Sequence, residues 1–139
     1  MTESCVDQAL AVAPTLVAAD GGADQALMFG HMPEAVIGDF DSLGSKAKAQ
    51  IPNDRLHQIA EQDSTDFEKA LREIETPIVV GVGFGGARVD HQLAAFNTMV
   101  RFPEKRCVLL GPHEIAFLCP PSLRLDLAEG TTVSLFPMG

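Results

Sequence analysis

Along the first 111 residues, short apolar runs alternate with amphipathic segments. Cys5 to Ala13 reads as a helix and Leu16 to Ala19 as a short buried strand. Ala23 to Phe29 is helical again, with Gly30 as its C-cap, and Ala35 to Ile37 forms a second strand. Leu43 to Gln50 is a short helix ended by Pro52, and Arg55 to Ala60 a third strand. Ser64 to Glu75 carries the strongest helical pattern. Phe67, Ala70, Leu71 and Ile74 recur at i, i+3, i+4 and i+7, leaving Glu68, Lys69, Arg72 and Glu73 for the other faces. Ile78 to Val82 is a buried strand. A glycine-rich turn leads into a helix from Val89 to Val100, and Cys107 to Leu110 is the last strand of this part. The alternation predicts an α/β fold, a Rossmann-like parallel sheet with flanking helices, over residues 1–111.

After Gly111 the texture changes. His113 to Cys119, Leu123 to Leu127 and Thr132 to Phe136 read as strands separated by Pro-Pro-Ser and Glu-Gly turns. Residues 112–139 therefore read as the start of an all-β, sandwich-type domain, incomplete because three strands would leave unpaired edges. The opening helix likewise has no strand before it.

Composition narrows the classes of function. At 46% hydrophobic and 21% charged, the 139 residues describe a globular chain, with no apolar stretch near the ~20 residues of a membrane span. No signal peptide opens it. The net charge of −9, without any basic run, argues against nucleic acid as a partner. Three cysteines without Cys-x-x-Cys spacing argue against a disulfide framework or a zinc site and favour the cytoplasm.

The carboxylates gather at the ends of elements: Asp20-Gly21-Gly22, Gly38-Asp39-Phe40-Asp41-Ser42, Gln62-Asp63-Ser64-Thr65-Asp66 and Arg88-Val89-Asp90-His91. In an open α/β sheet, the crevice outside the carboxyl ends of the strands is the ligand site, and four such clusters converge there. If Asp39 and Asp41 sit in an extended segment, they point the same way and can address one Mg²⁺ while Phe40 turns into the core. A surface turn with Asp41 or Ser42 capping the next helix is the plain structural alternative. Asp63 or Ser64 reads as the cap of the following helix, whose N-terminus also suits an anion. Lys69 can reach a phosphate or lie solvated. The run Gly81 to Arg88 is not a P-loop and lacks the third glycine of a dinucleotide fingerprint. Arg88 can neutralise phosphate, with Asp90 as its ion-pair partner or as a ligand contact. His91 caps its helix, and His31, His57 and His113 read as structural.

These four motifs, in this order and spacing, resemble the thiamine pyrophosphokinase family over roughly residues 5–137. The resemblance implies a nucleotide-binding α/β domain followed by a β-sandwich, forming a homodimer with shared active sites. It implies pyrophosphoryl transfer from ATP to thiamine with Mg²⁺, giving AMP and thiamine diphosphate. Carried onto this sequence, Asp39, Asp41 and Asp66 match its acidic metal and substrate positions, with Asp66 or Asp41 orienting or deprotonating the thiamine hydroxyl. Gln62, Asp63 and Thr65 match substrate or phosphate contacts, Asp20 and Gly21 lie in the first acidic turn, and Lys69, Arg88, Asp90 and His91 match nucleotide- or phosphate-side positions. Ala87 replaces a glycine usual before the arginine. A catalytically inactive Mg²⁺–nucleotide or thiamine binding module is the alternative function.

Overall fold

The computed structural model describes residues 1–86 and 88–138. In chain order its elements are α1 (Glu3–Val12), β1 (Val17–Ala19), α2 (Gly22–Met28), β2 (Ala35–Gly38), α3 (Ser45–Gln50), a 3₁₀ turn (Asn53–Arg55) and β3 (Leu56–Gln58). There follow α4 (Asp66–Glu73), β4 (Val79–Val82), α5 (Val89–Arg101), β5 (Cys107–Leu110) and β6 (Ile115–Phe117). Every helix and strand expected before Gly111 is present, with ends shifted by a few residues.

The strands fall into two three-stranded sheets. β1, β2 and β3 pair in parallel, with Ala18 opposite Val36 and Ile37 opposite His57. β4 and β5 pair in parallel, and β6 runs back antiparallel to β5. Parallel neighbours need a crossover, and α2 and α5 supply one in each sheet. The strand that follows the expected change of texture at residue 112 thus hydrogen-bonds to the preceding α/β part. The two later strands expected at Leu123–Leu127 and Thr132–Phe136 do not form. Their side chains stay exposed, Leu125 at 47% and Leu135 at 84%, and an alternating pattern cannot hold a strand without a partner ladder.

Local chemistry explains the helix ends. The Thr2 hydroxyl accepts the Cys5 N–H at the start of α1, and the Thr65 hydroxyl accepts the Glu68 N–H at the start of α4. The cap of α4 is therefore Thr65, not Asp63 or Ser64, because Ser64 is occupied by the Glu61 carboxylate at 2.6–3.0 Å. Neither Asp41 nor Ser42 caps α3. The Gly44 N–H there donates to Asp24 Oδ2 instead, at 2.8 Å. Gly30, just past α2, takes φ +81°, the left-handed value a helix stop favours.

Two apolar clusters form the core. One joins Ala18, Val36, Leu43 and Ile51 under the first sheet; the other joins Phe67, Leu71, Ala95, Met99 and Leu109 around α4, α5 and β5. α4 departs from the expected pattern in one respect: Glu68 and Lys69 are buried rather than solvated. Each has an ionic partner that makes burial tolerable. Glu68 Oε2 accepts from Arg101 Nη1 at 2.7 Å, tying α4 to α5, and Lys69 meets carboxylates described below. Among the described residues, no helix is long and apolar enough to cross a membrane.

Candidate functional site

β1 and β2 end side by side, and each delivers an aspartate at its carboxyl end. Asp20 follows β1 with φ +41°, a left-handed conformation that aspartate tolerates better than most residues. Its N–H donates to the Ile37 carbonyl, and its Oδ2 accepts the Ser42 N–H at 3.0 Å. Gly38 leaves room for this. A Cβ at Gly38 would stand 2.8 Å from the Asp20 Cβ and 3.2 Å from Asp66 Oδ1.

Asp39 comes next. Its Oδ1 accepts the Asp41 N–H (3.2 Å) and its Oδ2 accepts from Gln62 Nε2 (2.7 Å). The Asp41 amide above all, then Gln62, holds the Asp39 carboxyl below the usual carboxylate range. Asp66 enters from the first turn of α4. Lys69, one turn on, places its Nζ 3.2 Å from Asp66 Oδ1 and 3.5 Å from Asp39 Oδ2. Burial works to lower the Lys69 pKa, but the hydrogen bond and charge of Asp66, with Asp39 beside it, outweigh burial and hold it above the ordinary value.

Asp20, Asp39 and Asp66 each offer one oxygen to a common point, the three oxygens lying within 4.8 Å of one another. Among the described residues Asp20 Oδ1 is buried without a hydrogen-bond partner, and burial pushes this carboxyl's pKa up. Three carboxylates that bring one oxygen each to a common place, one of them buried with an oxygen left unpartnered, are the donor set a hard divalent cation takes. These residues fit Mg²⁺.

The structure brings Asp39 and Asp66 together and adds Asp20, which the sequence assigned to substrate. Asp41 does not join them. Phe40 takes φ +69° and packs against the first core cluster, so the segment is not extended and the i, i+2 argument fails. Asp41 is exposed and accepts the Ser42 hydroxyl at 2.8 Å. Gly21, Asp39, Asp41, Gln62, Thr65, Asp66, Lys69, Arg88 and His91 all line one cavity of about 770 Å³; Asp20, Asp63 and Asp90 do not. Arg88 is ion-paired with Asp90, its Nε 3.2 Å from Oδ1, and both are exposed. That pairing raises the Arg88 pKa and lowers that of Asp90. Ala87 lies outside the described residues. The burial of Lys69 leaves little trace in the sequence beyond the Asp-x-x-Lys spacing on one helix.

Residues 6–110 match the family described as thiamin pyrophosphokinase, catalytic domain. The chain belongs to that family. Thiamine pyrophosphokinase 1 of Oryza sativa subsp. japonica is 27% identical over 126 residues, covering 78% of this chain and 48% of the relative. Thiamin pyrophosphokinase 1 of Caenorhabditis elegans is 28% identical over 120 residues, covering 75% and 48%. The crystal structure of thiamin pyrophosphokinase from Geobacillus thermodenitrificans superposes with a TM-score of 0.58 at 28% identity, over 69% of this chain and 47% of that one. The chain thus spans about half the length of the thiamin pyrophosphokinases it matches, and the acidic trio falls wholly inside the family's catalytic domain.

Proposed function

We propose that this chain transfers the pyrophosphoryl group of ATP to the hydroxyl of thiamine, giving thiamine diphosphate and AMP. The observation that carries the reading is the acidic trio with its orphaned Asp20 oxygen, braced by a buried lysine, in a catalytic domain of this family. Asp20, Asp39 and Asp66 would hold Mg²⁺. When bound, that ion supplies positive charge against the triphosphate.

The remaining work belongs to the chain's own groups. The thiamine hydroxyl oxygen forms a bond to the β-phosphorus, and the bond from that phosphorus to the α–β bridging oxygen breaks as AMP leaves. We assign to Asp41 the orientation of the hydroxyl and acceptance of its proton, since Asp66 is committed to Lys69. Asp41 is exposed in the cavity, and among the described residues its Oδ1 accepts the Ser42 hydroxyl while Oδ2 takes no hydrogen bond. Arg88, at the same cavity, would exchange Asp90 for phosphate oxygens. A carboxylate-lined cavity also suits the cationic thiazolium. The expected setting is a homodimer in the cytoplasm, where its three free cysteines stay reduced.

One observation favours a second reading, a Mg²⁺–nucleotide or thiamine binding module without turnover: Arg88 is engaged by Asp90 rather than by the acidic trio. Chromatography of nucleotides after mixing protein, ATP, Mg²⁺ and thiamine separates the two. AMP formed only with thiamine supports transfer; bound ligand without AMP supports the binding module.

A further inference from the structure

Among the described residues, two that are not glycine take a positive φ, Asp20 at +41° and Phe40 at +69°, and Asp20 belongs to the acidic trio while Phe40 follows its Asp39. Aspartate visits this region readily. A bulky aromatic residue is an outlier there and stays only where its surroundings over-determine it. Around Phe40 they do. Its ring packs against the core cluster that contains Ala18, Val36, Leu43 and Ile51, and Lys48 Nζ of α3 lies 5.9 Å from the ring centroid. On its amino side, the Asp39 carbonyl accepts from Gln58 Nε2 at 3.0 Å. On its carboxyl side, the next two amides donate to two members of the trio. The Asp41 N–H reaches Asp39 Oδ1 at 3.2 Å, and the Ser42 N–H reaches Asp20 Oδ2 at 3.0 Å. Successive N–H groups of an extended chain point to opposite sides, so an extended residue 40 would not aim both at this mouth.

We propose that Phe40 is a positioning residue: burial of its ring holds residue 40 in the left-handed conformation, and that conformation aims the Asp41 and Ser42 amides at Asp39 and Asp20. Each bond engages one oxygen of its carboxylate, so the backbone sets how both carboxylates are turned before a cation arrives. Phe40 does not line the cavity, and it acts on the trio through these amides alone. Its effect on Mg²⁺ rests on the trio being a cation site, as proposed above; its hold on the backbone does not.

Substitutions at Phe40 separate positioning from packing, read by amide exchange in metal-free protein and by calorimetric titration with Mg²⁺. Phe40→Ala removes the ring but keeps a Cβ at φ +69°, so the turn should open. The Asp41 and Ser42 amides should then exchange about tenfold faster, the worth of roughly one net hydrogen bond, and the Kd for Mg²⁺ should rise about tenfold. Phe40→Gly also lacks the ring but adopts this φ freely. It should keep slower exchange and a higher Tm than Phe40→Ala, the reverse of the order glycine and alanine show at ordinary φ. Phe40→Leu restores an apolar anchor and should return exchange to within a few-fold of native. Ile51→Ala removes packing from the same cluster and should lower Tm without moving either readout. Unchanged exchange in Phe40→Ala, alanine melting above glycine, no rescue by leucine, or Ile51→Ala matching Phe40→Ala would each overturn the proposal. So would Mg²⁺ bound equally well by native protein and all three Phe40 variants, which leaves the cation site intact. Native protein that binds no Mg²⁺ while exchange follows the expected order would sink the cation site and uphold the role of Phe40.

Discussion

The Lys69 ammonium bridges Asp39 and Asp66, at 3.5 and 3.2 Å, with only 1% of its side chain exposed. Removing that charge leaves two carboxylates beside the equally buried Asp20. Lys69→Met keeps the side chain's bulk and discards its charge. Breaking a fully buried pair costs 3–5 kcal/mol; because Asp39 and Asp66 keep 12% and 32% exposure, the expected loss is about 2 kcal/mol. Mg²⁺ should then bind the variant more tightly than it binds the native protein and restore part of the loss. Urea unfolding with and without Mg²⁺ checks both. An unchanged Mg²⁺ response in the variant would mean that the lysine and the cation do not share these carboxylates.

If the trio holds the metal of a pyrophosphoryl transfer, Asp39→Asn and Asp66→Asn should each lower kcat/KM by roughly 10²–10³. Arg88→Ala should also reduce turnover while leaving the melting temperature essentially unchanged, because the Arg88–Asp90 pair is exposed. Asp126→Asn, in the exposed segment after β6, should change neither. Steady-state kinetics beside thermal melts distinguish the cases. Collapse of the melts for the Asp39 and Asp66 variants would make these carboxylates structural.

The sequence made the order of elements legible because period 3.6 in α4 and short apolar runs in β2, β4 and β5 are set by local burial. It also brought Asp39 and Asp66 to one mouth, since strand ends in α/β folds converge. What it could not show depends on single backbone angles and on distant partners. The left-handed Phe40 removed Asp41 from the trio, and the left-handed Asp20 joined it. Lys69 and Glu68 looked like solvent-facing charges because their partners come from other elements: Asp39 after β2 and Arg101 at the end of α5. Short runs between turn signals in residues 123–136 predicted strands, but a strand needs a neighbour that local sequence cannot supply.

Gly38 allows the trio to approach. In Gly38→Ala the new Cβ would meet the Asp20 Cβ at 2.8 Å, a contact folded proteins essentially never show. A loss of about 1–3 kcal/mol is expected, as for other overpacked sites, together with a weaker Mg²⁺-dependent rise in Tm. Gly22→Ala is the natural contrast, since nothing lies within 4 Å of its added Cβ and helix propensity favours alanine. Equal effects of the two substitutions would remove Gly38 from the account of the site.

Asp20→Asn separates function from stability. Asparagine tolerates φ +41° and its carbonyl still accepts the Ser42 N–H, so the substitution chiefly removes charge. Burial raises the folded-state pKa of Asp20 above 3.8. Below pH 3.8 both folded and unfolded chains hold the proton and ionisation costs nothing. As pH rises past 3.8 the unfolded chain releases its proton first, so stability is lost until the folded-state pKa is also passed. Asp39 works in the opposite direction: its pKa is lowered, so its contribution is present above 3.8 and lost as pH falls through its folded value. That contribution is common to both proteins and cancels in the difference. Without Mg²⁺, the variant should therefore gain on the native protein as pH rises from 3.8 toward 7, while its Mg²⁺-dependent stabilisation disappears. Urea midpoints across that range, with chelator and with Mg²⁺, decide it. A variant weaker than the native protein at pH 7 in chelator would show that the ionised Asp20 is stabilised by the fold, and the orphaned oxygen would lose its meaning as a cation ligand.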